Sequence, residues 1–308
     1  MKNSIVVIGS SNVDMIMKVD YIPESGETLT GGIFNQVYGG KGANQAVGAA
    51  RAGGDVAFIT SVGDDVFTPP MVKNFNDDDI NTKFVFKEPT QPCGSALIII
   101  GKNGQNIITV AAGANDKLSP DHLKTASAPI LGSEMIILQN EIPRETVEFA
   151  IKMANNSRIK VLWNFAPAME IDKKYLAMTD FLVLNEVEAE FLSGMKIKNI
   201  KDAESAASKI KEFGSETVII TLGSQGAYCL NEDINLHVPT PYVEVVDTTA
   251  AGDVFCGSFA VSITEKKSIE ESMKFATVAS ALSVARMGAQ PSAPTRKEID
   301  DFIQNMKN

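Results

Sequence analysis

The chain has 308 residues, 44% hydrophobic and 21% charged, with a formal net charge of −10. This is the make-up of a globular protein with a sizeable core, one large α/β domain or two smaller ones by length alone. The acidity argues against a nucleic-acid binder, which needs a basic stripe, but helix termini and a few lysines still allow an anionic small molecule.

The first apolar run, SIVVIG at Ser4–Gly9, predicts a buried strand. It is too short for a signal-peptide core or a membrane span. Cys93, Cys229 and Cys256 are scattered without metal or pairing spacing. A reducing, cytoplasmic setting is expected. Asn12-Val13-Asp14 follows the strand, at the edge where open α/β sheets bind ligands. If the strand continues, Asn12 and Asp14 share a face and suit hydroxyl groups, although an Asx turn accounts for the same residues. Met15 to Tyr38 is strand-like without a helix.

GGKGANQAVGAA at Gly39–Ala50 opens a small-residue helix ending near Gly53. It is neither a Walker A loop nor a G-x-G-x-x-G turn after a strand. Its glycines let backbone N–H groups reach a polyhydroxyl ligand, with Lys41 and Asn44 as further donors. A tight strand-to-helix turn is the plainer reading. Val56–Ser61 predicts the next strand. SALIIIGKNGQNIITV, centred on Asn103-Gly104, predicts a hairpin with a type I′ turn. This hairpin and the Met15–Tyr38 stretch are expected to pair as a small separate sheet, a lid made of two insertions at roughly 15–38 and 93–112 in an otherwise single α/β domain.

Ser119 before Pro120 marks a helix start. Strand-like runs then recur at Met135, Lys160, Phe181, Thr217 and Gly226, with helical stretches such as PRETVEFAIKMAN and AESAASKIKEFG between most of them. That alternation predicts a parallel sheet covered on both faces. Val243–Val246 (VEVV) reads as a strand and Asp247-Thr248-Thr249 as a turn. Ala250-Ala251-Gly252-Asp253 then enters a helix. Small residues at a helix start make an anion pocket. Asp253 there either complements the helix dipole or acts as a general base beside a transferring phosphoryl group. A capping box at Ser268–Glu271 opens the final long helix, to about Arg286. His122 and His237 are isolated, and Trp163 reads as core.

GGKGANQA, Asn185-x-x-Glu188, TLGSQG at Thr221–Gly226, DTTAAGD at Asp247–Asp253 and GAQPS at Gly288–Ser292 together resemble the ribokinase/PfkB sugar-kinase family, in the family's order and over nearly the whole chain. The resemblance implies a doubly wound, mostly parallel α/β sheet with a small β lid that also forms a homodimer contact. It implies ATP-dependent phosphorylation of the 5-hydroxyl of D-ribose, with Mg²⁺ and an activating K⁺. Deoxyribose, a ketohexose or a nucleoside is the alternative acceptor, and a non-catalytic sugar sensor is the alternative from another class. Nucleic-acid and membrane partners are not expected.

By the same resemblance Asp253 is the catalytic base, and Ala250, Ala251 and Gly252 form the anion hole. Asn12, Asp14, Gly40, Lys41, Gly42, Asn44 and Glu141 bind sugar. Asn185, Thr221, Leu222, Gly223, Ser224, Gln225, Gly226, Gly252 and Thr277 bind nucleotide. Glu188 is linked to Mg²⁺. Asp247, Thr249, Ser283, Arg286, Gly288 and Ser292 form a monovalent-cation loop, largely through carbonyls. Val66–Pro70, Cys93 in place of Thr or Ser, and Trp163–Pro167 depart from the family pattern.

Overall fold

The computed structural model describes residues 4–306. Its strands are β1 (Ser4–Ile8), β2 (Asn12–Val19), β3 (Ile33–Gly39), β4 (Asp55–Gly63), β5 (Asn81–Glu88), β6 (Gly94–Gly101), β7 (Asn106–Ala111), β8 (Met135–Leu138), β9 (Lys160–Asn164), β10 (Phe181–Asn185), β11 (Thr217–Thr221), β12 (Ala227–Leu230) and β13 (Asn235–Val238). Its helices are α1 (Lys41–Arg51), α2 (Thr68–Asp77), α3 (Pro120–Thr125), α4 (Ser127–Leu131), α5 (Arg144–Asn156), α6 (Lys173–Leu176), α7 (Glu186–Ser193), α8 (Ile200–Lys211), α9 (Ala251–Thr264), α10 (Ile269–Val284) and α11 (Arg296–Asn305).

Nine strands form one sheet in the order β13-β12-β11-β10-β9-β8-β1-β4-β5. It is parallel from β5 to β11 and closes at one edge with the antiparallel β12 and β13. Because alternate strand residues leave opposite faces, the apolar run of β1 feeds two cores. Ile5 and Val7 join the core under α1, α9 and α10, while Val6 and Ile8 join the one under α3, α5 and α8. This is the expected doubly wound sheet, covered on both faces.

A second sheet runs β3-β2-β6-β7. β2 leaves the end of β1 and lies antiparallel to β3 and parallel to β6, with Asn12 opposite Gly39 and Gly94. Unlike the large sheet, it exposes apolar side chains, including Ile33, Phe34, Leu97, Ile107 and Val110.

Three expectations need correction. The β6–β7 turn is not type I′. Gly104 N donates to Gly101 O at 2.9 Å, and only Gly104 of the loop has positive φ, 80°. The turn is therefore a type I turn with glycine in the left-handed position after it, and the Asn103 side chain accepts from Gln105 N at 3.1 Å. Val243–Val246 is not a strand. β13 already forms the sheet edge there, so Val246 N and Asp247 N donate instead to Val284 O at 2.8 and 3.1 Å. β-branched composition without a free edge does not make a strand. α10 ends at Val284, and it is not the last helix: α11 follows, opened by a Thr295–Glu298 capping box that the sequence displays.

Candidate active site

α9 starts abruptly. Ala250, its N-cap, is left-handed at φ 62°, a conformation uncommon for a residue with a side chain. The turn puts Ala250, Ala251, Gly252 and Asp253 on the wall of a cleft of about 850 Å³. The first N–H groups of a helix lack partners within it and carry the positive end of its dipole, so this wall suits an anion. Ser280 of α10 holds the turn by donating to Ala251 O at 3.0 Å.

Asp253 is buried, and both its oxygens accept side-chain amides. Asn44 Nδ2 donates to Oδ2 at 3.0 Å and Gln45 Nε2 to Oδ1 at 2.9 Å. These bonds depend on very close packing of α1 on α9. A Cβ added at Gly257 would lie 2.6 Å from Ala49 N. Burial raises the Asp253 pKa against the opposing pull of Lys41 and the two amides. The Asp253 carboxylate in turn raises that of Lys41.

Beyond Asp253 lies a second polar cluster. Glu141 Oε2 accepts from Ser10 Oγ at 2.6 Å and from Lys41 N at 2.9 Å. Gly40 enters α1 at φ 87°, and a Cβ there would lie 2.8 Å from Ser11 Cα. Gly42 is buried in the first turn of α1, against the Gly9–Ser10 backbone. Asn115 accepts from Ser11 N at 2.9 Å and so must present its amide nitrogen to Asn12 Oδ1, at 2.7 Å. Burial, with the Glu141 charge second, pushes the Asp14 pKa up to about 6. Asn12, Asp14, Gly40, Lys41, Gly42, Asn44, Glu141 and Asp253 thus come from distant stretches into one neighbourhood, with Lys41 and Asp253 at its boundary with the cleft.

The cleft is lined by Asn185, Glu188, Thr221, Gly223, Ser224, Gly226 and Thr277 among others. Leu222 is instead buried among core residues, and the Gln225 carbonyl is engaged by His237 Nε2 at 2.6 Å. Thr277 Oγ1 is buried without a partner. Asn185 and Glu188 form a reciprocal capping box that starts α7, with Glu188 N to Asn185 Oδ1 at 3.0 Å and Asn185 N to Glu188 Oε2 at 2.7 Å. Burial raises the Glu188 pKa despite that bond.

Sequence reasoning missed further residues that line the cleft, Thr240 to Val243 with Val245, together with Asn164. The only signal was an apolar stretch with Tyr242 and no sheet edge to join; Tyr242 is 95% exposed.

Behind the α9 turn, Asp247 accepts from Thr249 N and Oγ1 and, across the chain, from Gly288 N at 2.8 Å. Burial opposes its ionisation, but these bonds prevail and hold the Asp247 pKa below its usual value. The loop closes nearby with Arg286 N on Ser283 O, Ser292 N and Oγ on Ala289 O, and Arg286 paired to Glu298. Among the described residues, no group of three or more His, Cys, Asp or Glu could hold a metal.

The departures resolve structurally. Asp65 caps the turn before α2 by accepting from Phe67 N at 3.0 Å, and it accepts Cys93 N at 2.7 Å. Cys93 is buried beside Thr68, and Trp163 and Phe165 pack edge to face in the core.

A family model for pfkB family carbohydrate kinases matches residues 2–296. The chain is 38% identical over 305 residues to a ribokinase of Haemophilus influenzae, covering 99% of this chain and 100% of that protein. It is 38% identical over 300 residues to a deoxyribokinase of Salmonella typhimurium, covering 97% and 98%. It superposes on Arabidopsis thaliana ribokinase, solved with ribose and ATP, with a TM-score of 0.91 at 30% identity, over 99% of each chain. With a family model matched from residue 2 to residue 296, the chain belongs to the pfkB family of carbohydrate kinases.

Proposed function

We propose that the protein transfers the γ-phosphoryl group of ATP to the 5-hydroxyl of D-ribose, giving D-ribose 5-phosphate and ADP. One observation carries the reading: Asp253 stands buried at the first turn of α9, between the wide cleft and the Asn12–Asp14–Glu141 cluster. ATP occupies the cleft, with Thr277 Oγ1 as an unmet hydrogen-bonding group there. The sugar occupies the cluster. As the sugar oxygen bonds to the γ-phosphorus, Asp253 takes its proton and the bond to the bridging oxygen of ADP breaks. The α9 turn stabilises charge on the phosphoryl oxygens.

Mg²⁺ takes oxygen donors and shares them with phosphate, and Glu188 and Asn185 bring such donors into the cleft. Mg²⁺ supplies charge neutralisation of the phosphates. A K⁺ would be held by carbonyls around Thr249, Ser283, Arg286 and Gly288, near Ser292, with Asp247 shaping the loop; it would add positive field behind the anion hole. The small sheet acts as a lid that excludes water. Its exposed apolar residues support a homodimer through that sheet. We read the setting as cytoplasmic; the three cysteines are free and buried. Among the described residues, no helix is long and apolar enough to cross a membrane.

Deoxyribose is the second reading, because a deoxyribokinase is as similar as a ribokinase, at 38% identity each. ATP consumption across a sugar panel, with and without K⁺, decides. Ribose-dependent turnover that is raised by K⁺ and falls about a thousandfold in Asp253→Asn is expected. Preferred use of deoxyribose would move the substrate and keep the mechanism. Sugar binding without turnover on any sugar would leave a sensor.

A further inference from the structure

The buried face of Asp253 carries an arrangement that the phosphoryl transfer described above does not use. Gln45 Nε2 donates to Asp253 Oδ1, and Gln139 Nε2 donates to Gln45 Oε1 at 2.6 Å. Both glutamines are fully buried. The direction of the chain of bonds is forced. A carboxylate only accepts, so Gln45 must turn its nitrogen to Asp253 and its oxygen away, and Gln139 must then supply a donor. That orientation leaves Gln139 Oε1 without a partner, close against the Gly9 backbone, where an added Cβ would lie 1.9 Å from it.

The other carboxylate oxygen has different company. Oδ2 is held by Asn44, whose own Oδ1 is buried and has no protein partner. One side of Asp253 is therefore sealed by two amides in series, and the other meets a residue with unmet capacity. We propose that Gln139 and Gln45 form a positioning relay, in which Gln139 orients Gln45 and Gln45 holds Oδ1 so that Oδ2 receives the substrate proton. The inference rests on Asp253 being the base.

The relay also acts on charge. The ionisable groups facing Asp253 are Lys41 of α1, Glu141 after β8 and Cys256 of α9, with Glu188 of α7 acting on Lys41. Burial disfavours the carboxylate; Lys41 and the Asn44 and Gln45 amides favour it. Removing the Gln45 donor raises the Asp253 pKa further, so the base is protonated over a wider range and the acid limb of the rate profile moves to higher pH.

The test compares wild type, Gln45→Met, Gln139→Met, the double variant and Asp253→Asn, each checked for folding by circular dichroism. Two readouts are taken: the pH profile of kcat/KM with D-ribose and ATP, and the carboxyl-carbon NMR titration of Asp253, assigned by its loss in Asp253→Asn. In Gln45→Met the limb and the NMR midpoint should rise by about one pH unit, a roughly tenfold loss on the acid side, with the KM for ribose little changed. Gln139→Met should shift both the same way by less. The double variant should match Gln45→Met, because Gln139 acts through it. Unmoved limb and midpoint in a folded Gln45→Met, or in Gln139→Met should the former not fold, overturn the relay. Full activity in Asp253→Asn overturns the base assignment, and the NMR midpoint then still decides whether the amides hold the carboxylate.

Discussion

The two sides of Asp253 are built on opposite plans. On the side of Asn12, Asp14 and Glu141, polar groups are tied in chains: Ser11 to Asn115 to Asn12, and Ser10 and Lys41 N to Glu141. On the other side the cleft is wide, and many of its lining residues are small, with Tyr242 standing almost free. A fixed lattice of donors and acceptors suits one small, densely hydroxylated ligand, because each mismatch strands a buried polar group. An open wall with few committed groups suits a larger, flatter ligand held by shape and by its phosphates.

The largest effect should come from destroying the geometry shared by both sides. Gly257→Ala puts a methyl group against the Ala49 backbone and drives α9 from α1. It should cost about 1–3 kcal/mol, lower Tm by several degrees, and reduce turnover at least tenfold through loss of the Asn44 and Gln45 bonds to Asp253. Thermal melting together with kcat tests this; a stable, fully active variant would show that the close packing is incidental.

A substitution on the tied side should separate the two ligands. Asp14→Asn should raise the KM for ribose about tenfold or more while leaving that for ATP within about twofold. In wild type the same residue predicts a pH effect. Its pKa of about 6 means that the carboxylate is protonated as pH falls through that value, so the KM for ribose should rise below it. The raised value also means that ionised Asp14 weakens the fold at neutral pH. Its unfavourable contribution is absent below the unfolded pKa near 3.8 and grows until pH passes about 6. Asp14→Asn should therefore melt slightly higher than wild type at neutral pH, and equal melting would weaken the claim that burial, with the Glu141 charge second, disfavours the Asp14 carboxylate.

The smallest effect belongs to the open side. Thr277→Val removes a buried hydroxyl that has no protein partner. It should change the KM for ATP by no more than about threefold and leave the KM for ribose unchanged. A large change in ribose binding would mean that the two sides are coupled beyond Asp253.

Much of this was legible in the order of residues. The apolar runs alternate with amphipathic stretches because a parallel sheet must be covered on both faces, so β1, β4 and β8 to β11 appear in the sequence as short hydrophobic blocks. The glycines before α1 and the small residues opening α9 are local demands of backbone geometry and are visible as such. Where local preference met a global constraint, the sequence misled. Val243–Val246 has strand composition but no free edge to join, and Asn103-Gly104 signals a tight hairpin without saying which turn the strand twist selects.

What the sequence by itself determined is the alternation of strands and helices, the positions of the caps and tight turns, and the residue types available for chemistry. These depend on neighbours within a few positions. Only the tertiary structure decided that Asn44 and Gln45 meet Asp253 across more than two hundred residues, that Gln139 stands behind Gln45, and that Val243 and Val245 line the cleft in place of a strand. Those contacts are set by how closely α1 and α9 pack on the sheet, and packing of that kind is a property of the assembled core, not of any local run of residues.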